Sequence, residues 1–311
     1  MSIYFDFSVF TGQYFNVSVL IYALIVGVLT SLCSSALGVN LVLKRYSMIG
    51  DGLSHVGFLA LSIAALLGVS TENNIYITIP VVTLAALFLM WLTDSGKLKG
   101  DAATALVSVG TVAVGYIIFG LAEAGSSEVC TGLFGASVLT MTADDTLLGV
   151  AICAMVIVLY LVFFNRVFAV TFDRDFATAT GVNVKGLNML LSALTAVTIV
   201  VGMKLIGSIM ISAVIVIPAV TSMRLFKTFK LCVISSAIIS AICFIFGFLF
   251  AVTFVINKPE SFMSGTVMLP VGATVVCFNV LALLIACIIQ KLKIKSRKFQ
   301  ALTAEKNETS N

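Results

Sequence analysis

The chain has 311 residues, of which 60% are hydrophobic and 10% charged, and its formal net charge is +4. Soluble domains carry roughly 25% charged residues and about 45–50% apolar ones, so this composition excludes an ordinary soluble protein of two or three domains. It predicts a single all-α membrane domain over residues 1–311, because helices satisfy their own backbone hydrogen bonds within hydrocarbon.

Apolar runs long enough to cross a bilayer recur along the chain, since a spanning helix needs about 20 residues. We predict nine spans, at about Ser18–Leu43, Leu53–Val69, Ile75–Leu92, Ala102–Leu121, Thr146–Phe164, Leu187–Val201, Leu205–Met223, Leu231–Val255 and Val271–Gln290. A tight break around Gly202–Lys204 separates the sixth run from the seventh, and the count falls to eight if those two form one bent unit. The sequence therefore predicts a polytopic bundle of eight or nine transmembrane helices.

Lysine and arginine cluster after alternate spans. The clusters are Lys44 and Arg45; Lys97 and Lys99; Arg166, Arg174 and Lys185; Arg224, Lys227 and Lys230; and Lys291, Lys293, Lys295, Arg297 and Lys298. Because basic loops stay in the cytoplasm, nine crossings of the cell membrane predict an external N-terminus and a cytoplasmic C-terminus. Eight crossings would place a cluster outside, so the parity favours nine, and only Lys204 and Lys258 are exceptions. Residues 291–311 are expected to form a frayed polar tail with no nucleic-acid role.

The only histidine of the chain, His55, follows Asp51 by four residues at the start of the second apolar run. On a helix these positions share one face, so the carboxylate and the imidazole can point at a common atom. Ionisable residues inside a membrane segment mark an ion pathway or a proton relay, and this pair of ligand types suits zinc or manganese. The opposing interpretation makes Asp51 a helix N-cap and His55 a packed side chain. The two residues by themselves favour neither interpretation.

Several types of functional site are missing from the sequence. It has no G-x-x-x-x-G-K-[ST] phosphate loop, so we expect no ATP hydrolysis by this chain. It has no H-E-x-x-H motif, and a single histidine is too few for a conventional catalytic zinc site. The seven cysteines are scattered singly and are expected to pack as small apolar side chains. We expect neither enzymatic activity nor a permanently bound cofactor.

Four segments carry a likeness to one family, in the order in which that family has them. They are Leu43–His55, Phe172–Val182, Val200–Ser208 together with Val216–Thr221, and, more weakly, Leu269–Thr274. The chain thereby resembles the permease subunit of ABC importers for zinc, manganese and related metals. The resemblance runs from the first span almost to the C-terminus.

The resemblance implies a homodimer in the lipid bilayer, with two cytoplasmic ATPase subunits and an extracytoplasmic metal-binding protein as partners. ATP acts on the partner subunits, and the cargo is a divalent metal ion, with zinc slightly preferred over manganese. The family's intramembrane metal ligands fall on Asp51 and His55, which favours the metal role for this pair. Two ligands per subunit are too few for zinc, and a two-fold axis beside this helix would supply four.

The longest cytoplasmic loop, residues 166–186, is the expected coupling segment, and a short helix is expected within it at Asp173–Gly181. Its marks are acidic residues near the start, small residues in the middle and a glycine C-cap: Asp173, Asp175, Phe176, Ala177, Ala179 and Gly181. Small residues permit close docking into a groove, and the resemblance implies that the ATPase is the partner. The alternative is an interfacial loop helix that has no partner.

The seventh span contains candidate pathway or gating residues. Pro218 removes a backbone hydrogen bond and favours a kink, while Gly207, Ser208 and Ser212 permit close approach of another helix. The functional interpretation is a pathway-lining or dimer-facing helix that shifts during gating. Ordinary packing of small residues in a membrane bundle is an equal alternative.

Two rival functions remain open from the sequence. An ion- or proton-coupled secondary transporter would use the Asp51–His55 pair as a relay, but it would be expected to carry further carboxylates inside its spans. An ABC permease for siderophores or cobalamin would share the architecture, yet it has no need of an Asp–His pair.

Overall fold

The computed structural model describes residues 2–5, 17–46, 48–69, 75–94, 100–121, 143–257 and 266–308. These residues form eleven helices: α1 Val17–Leu43, α2 Ile49–Leu66, α3 Ile75–Asp94, α4 Gly100–Leu121, α5 Ala143–Val162, α6 Phe164–Phe172, α7 Arg174–Ala179, α8 Val184–Leu205, α9 Ser208–Leu225, α10 Phe229–Thr253 and α11 Val271–Glu308. Nine of these described helices, all except α6 and α7, are long and apolar enough to cross a membrane. The predicted all-α polytopic bundle is confirmed, with nine candidate spans among the described residues.

A small antiparallel sheet accompanies the helices. Its strands are β1 Ser2–Phe5, β2 Phe254–Asn257 and β3 Thr266–Met268, with β2 in the centre. β2 follows α10 directly and pairs along its whole length with β1. This sheet was not predicted from the sequence, because residues 254 and 255 continue the eighth apolar run. Strands this short depend on partners that are distant in sequence.

Hydrogen bonds between α1 and α5 show that these two helices run parallel. The Cys33 thiol donates to the Cys153 carbonyl oxygen over 3.4 Å. Two turns further along both helices, the Asn40 amide donates to the Tyr160 hydroxyl over 2.9 Å. The first and fifth spans therefore cross in the same direction, as alternating crossings require.

The two ends of the bundle differ in charge. At the end where α1 finishes, the Lys44 ammonium donates to the Asn188 side chain over 2.6 Å, and the basic segments after α1, α5 and α9 lie at this end. We call it the basic end. At the opposite end the ammonium of Lys204, an exception to the basic pattern, lies 3.4 Å from the Asp145 carboxylate in the first turn of α5. Of the other predicted charges, Lys97, Lys99 and Lys258 lie outside the described residues.

The break between the sixth and seventh spans lies at Gly207, and the predicted position at Gly202–Lys204 is wrong. α8 continues through Gly202, where the absence of a side chain leaves room for Ile211 and Thr30. Gly207 has a φ of 108° and a ψ of 151°, a backbone conformation that favours glycine, and α9 begins at the next residue. Gly202 therefore permits close helix packing, and Gly207 makes the turn between α8 and α9.

The last helix is longer than the sequence analysis expected. α11 continues to Glu308, so most of the tail predicted to be frayed is helical. Its 38 residues correspond to about 57 Å at a rise of ~1.5 Å per residue, which exceeds the roughly 30 Å hydrocarbon core. The helix therefore projects beyond the membrane at the basic end.

α1 and α9 lie very close where Gly38 meets Ile215, because a Cβ added at Gly38 would meet the Ile215 carbonyl oxygen. We predict that Gly38→Ala lowers the free energy of unfolding by about 1–3 kcal/mol relative to a control, since a backbone carbonyl cannot move aside as a flexible side chain can. Thermal unfolding of the detergent-solubilised protein measures the change.

The matched control is Gly110→Ala on α4, where nothing lies within 4 Å of an added Cβ. Its unfolding midpoint should stay unchanged or rise, because alanine is the better helix former. Equal midpoints for Gly38→Ala and Gly110→Ala would contradict the assigned contact.

Candidate metal site and coupling segment

Asp51 and His55 lie together on one face of α2. Asp51 is in the first turn, His55 follows one turn later, and the His55 Nε2 is 3.6 Å from the Asp51 Oδ2. The side chains are 60% exposed for Asp51 and 41% for His55. Met48 occupies the N-cap position of α2, so Asp51 is not the N-cap. Neither residue is packed in the interior, and both are accessible to an ion.

Glycines hold other faces of α2 tightly against neighbouring helices. The contacts are Gly50 against Ser212 of α9, Gly52 against Thr104 of α4, and Gly57 against Met203 of α8. Close approach through small residues is the usual way in which membrane helices associate. The face that carries Asp51 and His55 remains open while these contacts fix the rotation of α2 about its axis.

The predicted pathway residues occupy different positions on α9. Ser212 lies beside α2, since a Cβ added at Gly50 would be 3.3 Å from the Ser212 Cα. Its hydroxyl donates to the Ser208 carbonyl oxygen over 2.9 Å, and both serines are half-buried. Pro218 is buried inside α9, which stays helical on both sides of it. Gly207, expected to allow close helix approach, is instead the turn residue before α9.

In the described part of one chain the set of metal ligands is incomplete. Among the residues that the structure describes, no group of three or more His, Cys, Asp or Glu side chains is placed to hold a metal ion. Zinc prefers about four ligands in protein sites. The Asp51–His55 pair can therefore contribute half of such a set.

The predicted short helix is present as α7, with a cap at each end. Asp173 is the N-cap, and its Oδ1 accepts a hydrogen bond from the Phe176 amide over 2.9 Å. At the other end Gly181 has a φ of 80°, and its amide and that of Val182 donate back to carbonyl oxygens within α7, each over 3.0 Å. This is the Schellman arrangement, which glycine favours. Local sequence alone was enough to predict this element.

The exposed and buried faces of α7 are clearly separated. Phe176 is 60% exposed, and Asp175 and Ala179 are exposed beside it. Ala177, expected to dock into a partner, is instead fully buried in a core cluster of its own chain. Ala177 therefore anchors α7 to the bundle, and the exposed face is left for a partner.

Two sets of contacts, which were not predicted from the sequence, connect α6, and through it α7, to the spans. Asn40 of α1 is buried, bonds Tyr160 of α5, and has its Oδ1 3.5 Å from the Thr171 hydroxyl of α6. Phe229 of α10 packs against three rings of α6, with centroid distances of 5.4 Å to Phe164, 5.4 Å to Phe168 and 5.8 Å to Phe172. The available signals were an asparagine inside an apolar run and phenylalanines at helical spacing.

The chain is similar to known membrane transport proteins. Residues 16–290 match the family described as the ABC 3 transport family. The high-affinity zinc uptake system membrane protein ZnuB of Haemophilus influenzae is 28% identical over 211 residues, which cover 68% of this chain and 79% of that protein. The manganese transport system membrane protein MntC of Listeria monocytogenes is 28% identical over 257 residues, which cover 82% of this chain and 87% of that protein.

A solved structure has the same fold. The structure of PsaBC from Streptococcus pneumoniae in complex with Fab superposes with a TM-score of 0.72 at 24% sequence identity. The alignment covers 90% of this chain and 94% of that chain, so the similarity extends over nearly the whole bundle.

Proposed function

The chain belongs to the ABC 3 transport family as a membrane transport subunit whose ATPase activity lies in separate subunits, and we propose that it passes zinc or manganese through a site formed by Asp51 and His55. The observation that carries the proposal is this pair, 3.6 Å apart on the open face of α2. An ionisable pair inside a membrane is costly and is expected to serve an ion pathway. Carboxylate and imidazole together suit these divalent metals.

The permease works as a homodimer in which two copies of α2 face each other across a two-fold axis. Each copy supplies one carboxylate and one imidazole, which completes the four ligands that zinc prefers. The partial exposure of both side chains supports this arrangement, because a second copy can close an open face. A site divided between two subunits also releases its ion when the helices separate, as conduction requires.

Zinc is the preferred cargo. Two imidazoles and two carboxylates form a four-coordinate set typical of zinc, whereas manganese favours sites richer in oxygen ligands. Relatives named for zinc uptake and for manganese transport both support a divalent metal as the cargo. The ligand set, rather than the relatives, is what favours zinc.

The ATPase subunits dock at the basic end, which faces the cytoplasm, and an extracytoplasmic metal-binding protein delivers the ion at the other end. Phe176 offers an exposed apolar anchor on α7. Because Ala177 ties α7 to the core, a force applied to Phe176 reaches the bundle. Asn40 and Phe229 then connect the neighbouring α6 to α1 and α10.

Asp51→Asn or His55→Ala should lower metal uptake by at least about 10–100-fold, the loss typical of changing a residue that only supports a ligand, because each change removes one kind of direct ligand from both copies. Uptake of zinc and of manganese is measured in cells or vesicles that contain the complete importer, at matched membrane expression. Faster uptake of manganese than of zinc by the wild type would contradict the preference for zinc.

Asp101→Asn is the matched control, because Asp101 is an exposed carboxylate in the first turn of α4, the helix packed beside α2. It should transport at the wild-type rate. Wild-type uptake in either site variant would contradict the assignment of Asp51 and His55 as metal ligands.

Phe176→Ala should weaken ATPase association and transport without changing the unfolding midpoint, because the side chain is largely exposed within its own chain. Co-purification of the ATPase with the permease and uptake are measured together. Met189→Ala, which removes an exposed apolar side chain from α8, is the control and should retain the ATPase. Full co-purification with Phe176→Ala would show that α7 does not hold the ATPase through this residue.

Labelling with a membrane-impermeant thiol reagent tests the orientation. In a cysteine-free background, Asp144→Cys should react in intact cells, since Asp144 is exposed at the end opposite the basic one. Thr178→Cys on α7 should react only after permeabilisation, because basic segments stay in the cytoplasm. External labelling at Thr178→Cys would reverse the proposed orientation.

A further inference from the structure

A groove of about 400 Å³ runs along the spanning surface between α5 and α10. Its floor is α1, where Cys33 and Leu37 are buried, and exposed Leu161 and Ile238 stand at its rims. Lys230, the second residue of α10, is the one charged residue of the lining and lies at the basic end. A groove of this size is comparable to the roughly 300–1,000 Å³ of small-molecule sites.

We propose that this groove binds an acyl chain of an anionic phospholipid, with the Lys230 ammonium at the lipid phosphate. The groove opens to the medium around the spans, which in a membrane is hydrocarbon. From Lys230 to Ile238 it follows α10 for about 12 Å at ~1.5 Å per residue, close to the roughly 15 Å depth of one leaflet. An apolar trough that ends in a single lysine complements a lipid with a negative headgroup.

A second copy of the chain is the other occupant that such a surface could take. α2 packs on α3, α4, α8 and α9, whereas the groove walls α5 and α10 both pack on α1. A symmetric partner placed on the Asp51–His55 face, which rests on the proposed function, therefore leaves the groove to lipid.

The lipid also meets the residues that connect the spans to the coupling segment. Tyr160 and Phe164 line the groove, and they contact Asn40 and Phe229 respectively. A chain seated between α5 and α10 fixes the spacing of these two helices next to those contacts. Anionic lipid thereby stabilises the region from which α6 and α7 extend.

Quenching of tryptophan fluorescence by brominated lipids tests the proposal in the full-length protein. The single native tryptophan, Trp91, is first replaced by phenylalanine. Leu161→Trp then reports on the groove rim, and Val158→Trp, an exposed position of α5 outside the groove lining, is the control. Each variant is reconstituted in phosphatidylcholine vesicles with a minor share of phosphatidylglycerol, and either lipid carries the bromine.

Brominated phosphatidylglycerol should be enriched about fivefold at Leu161→Trp over Val158→Trp, the magnitude expected for one lysine near an anionic lipid. Adding Lys230→Gln should abolish this enrichment, whereas Lys227→Gln, outside the groove lining, should preserve it. Equal quenching by the two lipids at both positions overturns the proposal. Quenching at Val158→Trp without any at Leu161→Trp also overturns it, because a second copy of the chain then covers the groove.

Discussion

Gly50, Gly52 and Gly57 let three neighbouring helices pack close against α2. Between membrane helices there is little hydrophobic driving force, so such close packing determines how each helix is rotated. With α4, α8 and α9 held against it, α2 must turn Asp51 and His55 toward the remaining open side. The geometry of the candidate site thus depends on residues that carry no functional group.

The membrane also determines where the charged residues of the bundle lie, because an unpaired charge in a low-dielectric surrounding is costly. Basic residues collect at one end, where Lys44 still finds a partner in Asn188. Lys204 stands at the other end and is accompanied by Asp145, which reduces the cost of a lone charge near the membrane. The Lys44–Asn188 pair ties the end of α1 to α8, and the Lys204–Asp145 pair ties α8 to α5, so these polar contacts also position the spans.

The region around Tyr160 and Phe164 combines several roles. The Tyr160 hydrogen bond joins α1 to α5, and the Phe164 ring contact joins α10 to α6, directly before α7. The same two residues face the groove between α5 and α10. Docking of a partner on α7 and binding of a lipid in the groove would therefore act on the same contacts. These contacts connect the spans to the basic end.

The sequence by itself determined the features that follow from local patterns. Apolar run length predicted nine spans, the i, i+4 spacing placed Asp51 and His55 on one face, and capping residues predicted α7 between Asp173 and Gly181. Tertiary structure decided which glycine makes a turn and which a helix contact, as Gly207 and Gly202 show. It also turned Ala177 inward, formed the β1–β2–β3 sheet and created the groove at Lys230. These features depend on contacts between residues far apart in the chain, which hydropathy and spacing along one segment do not encode.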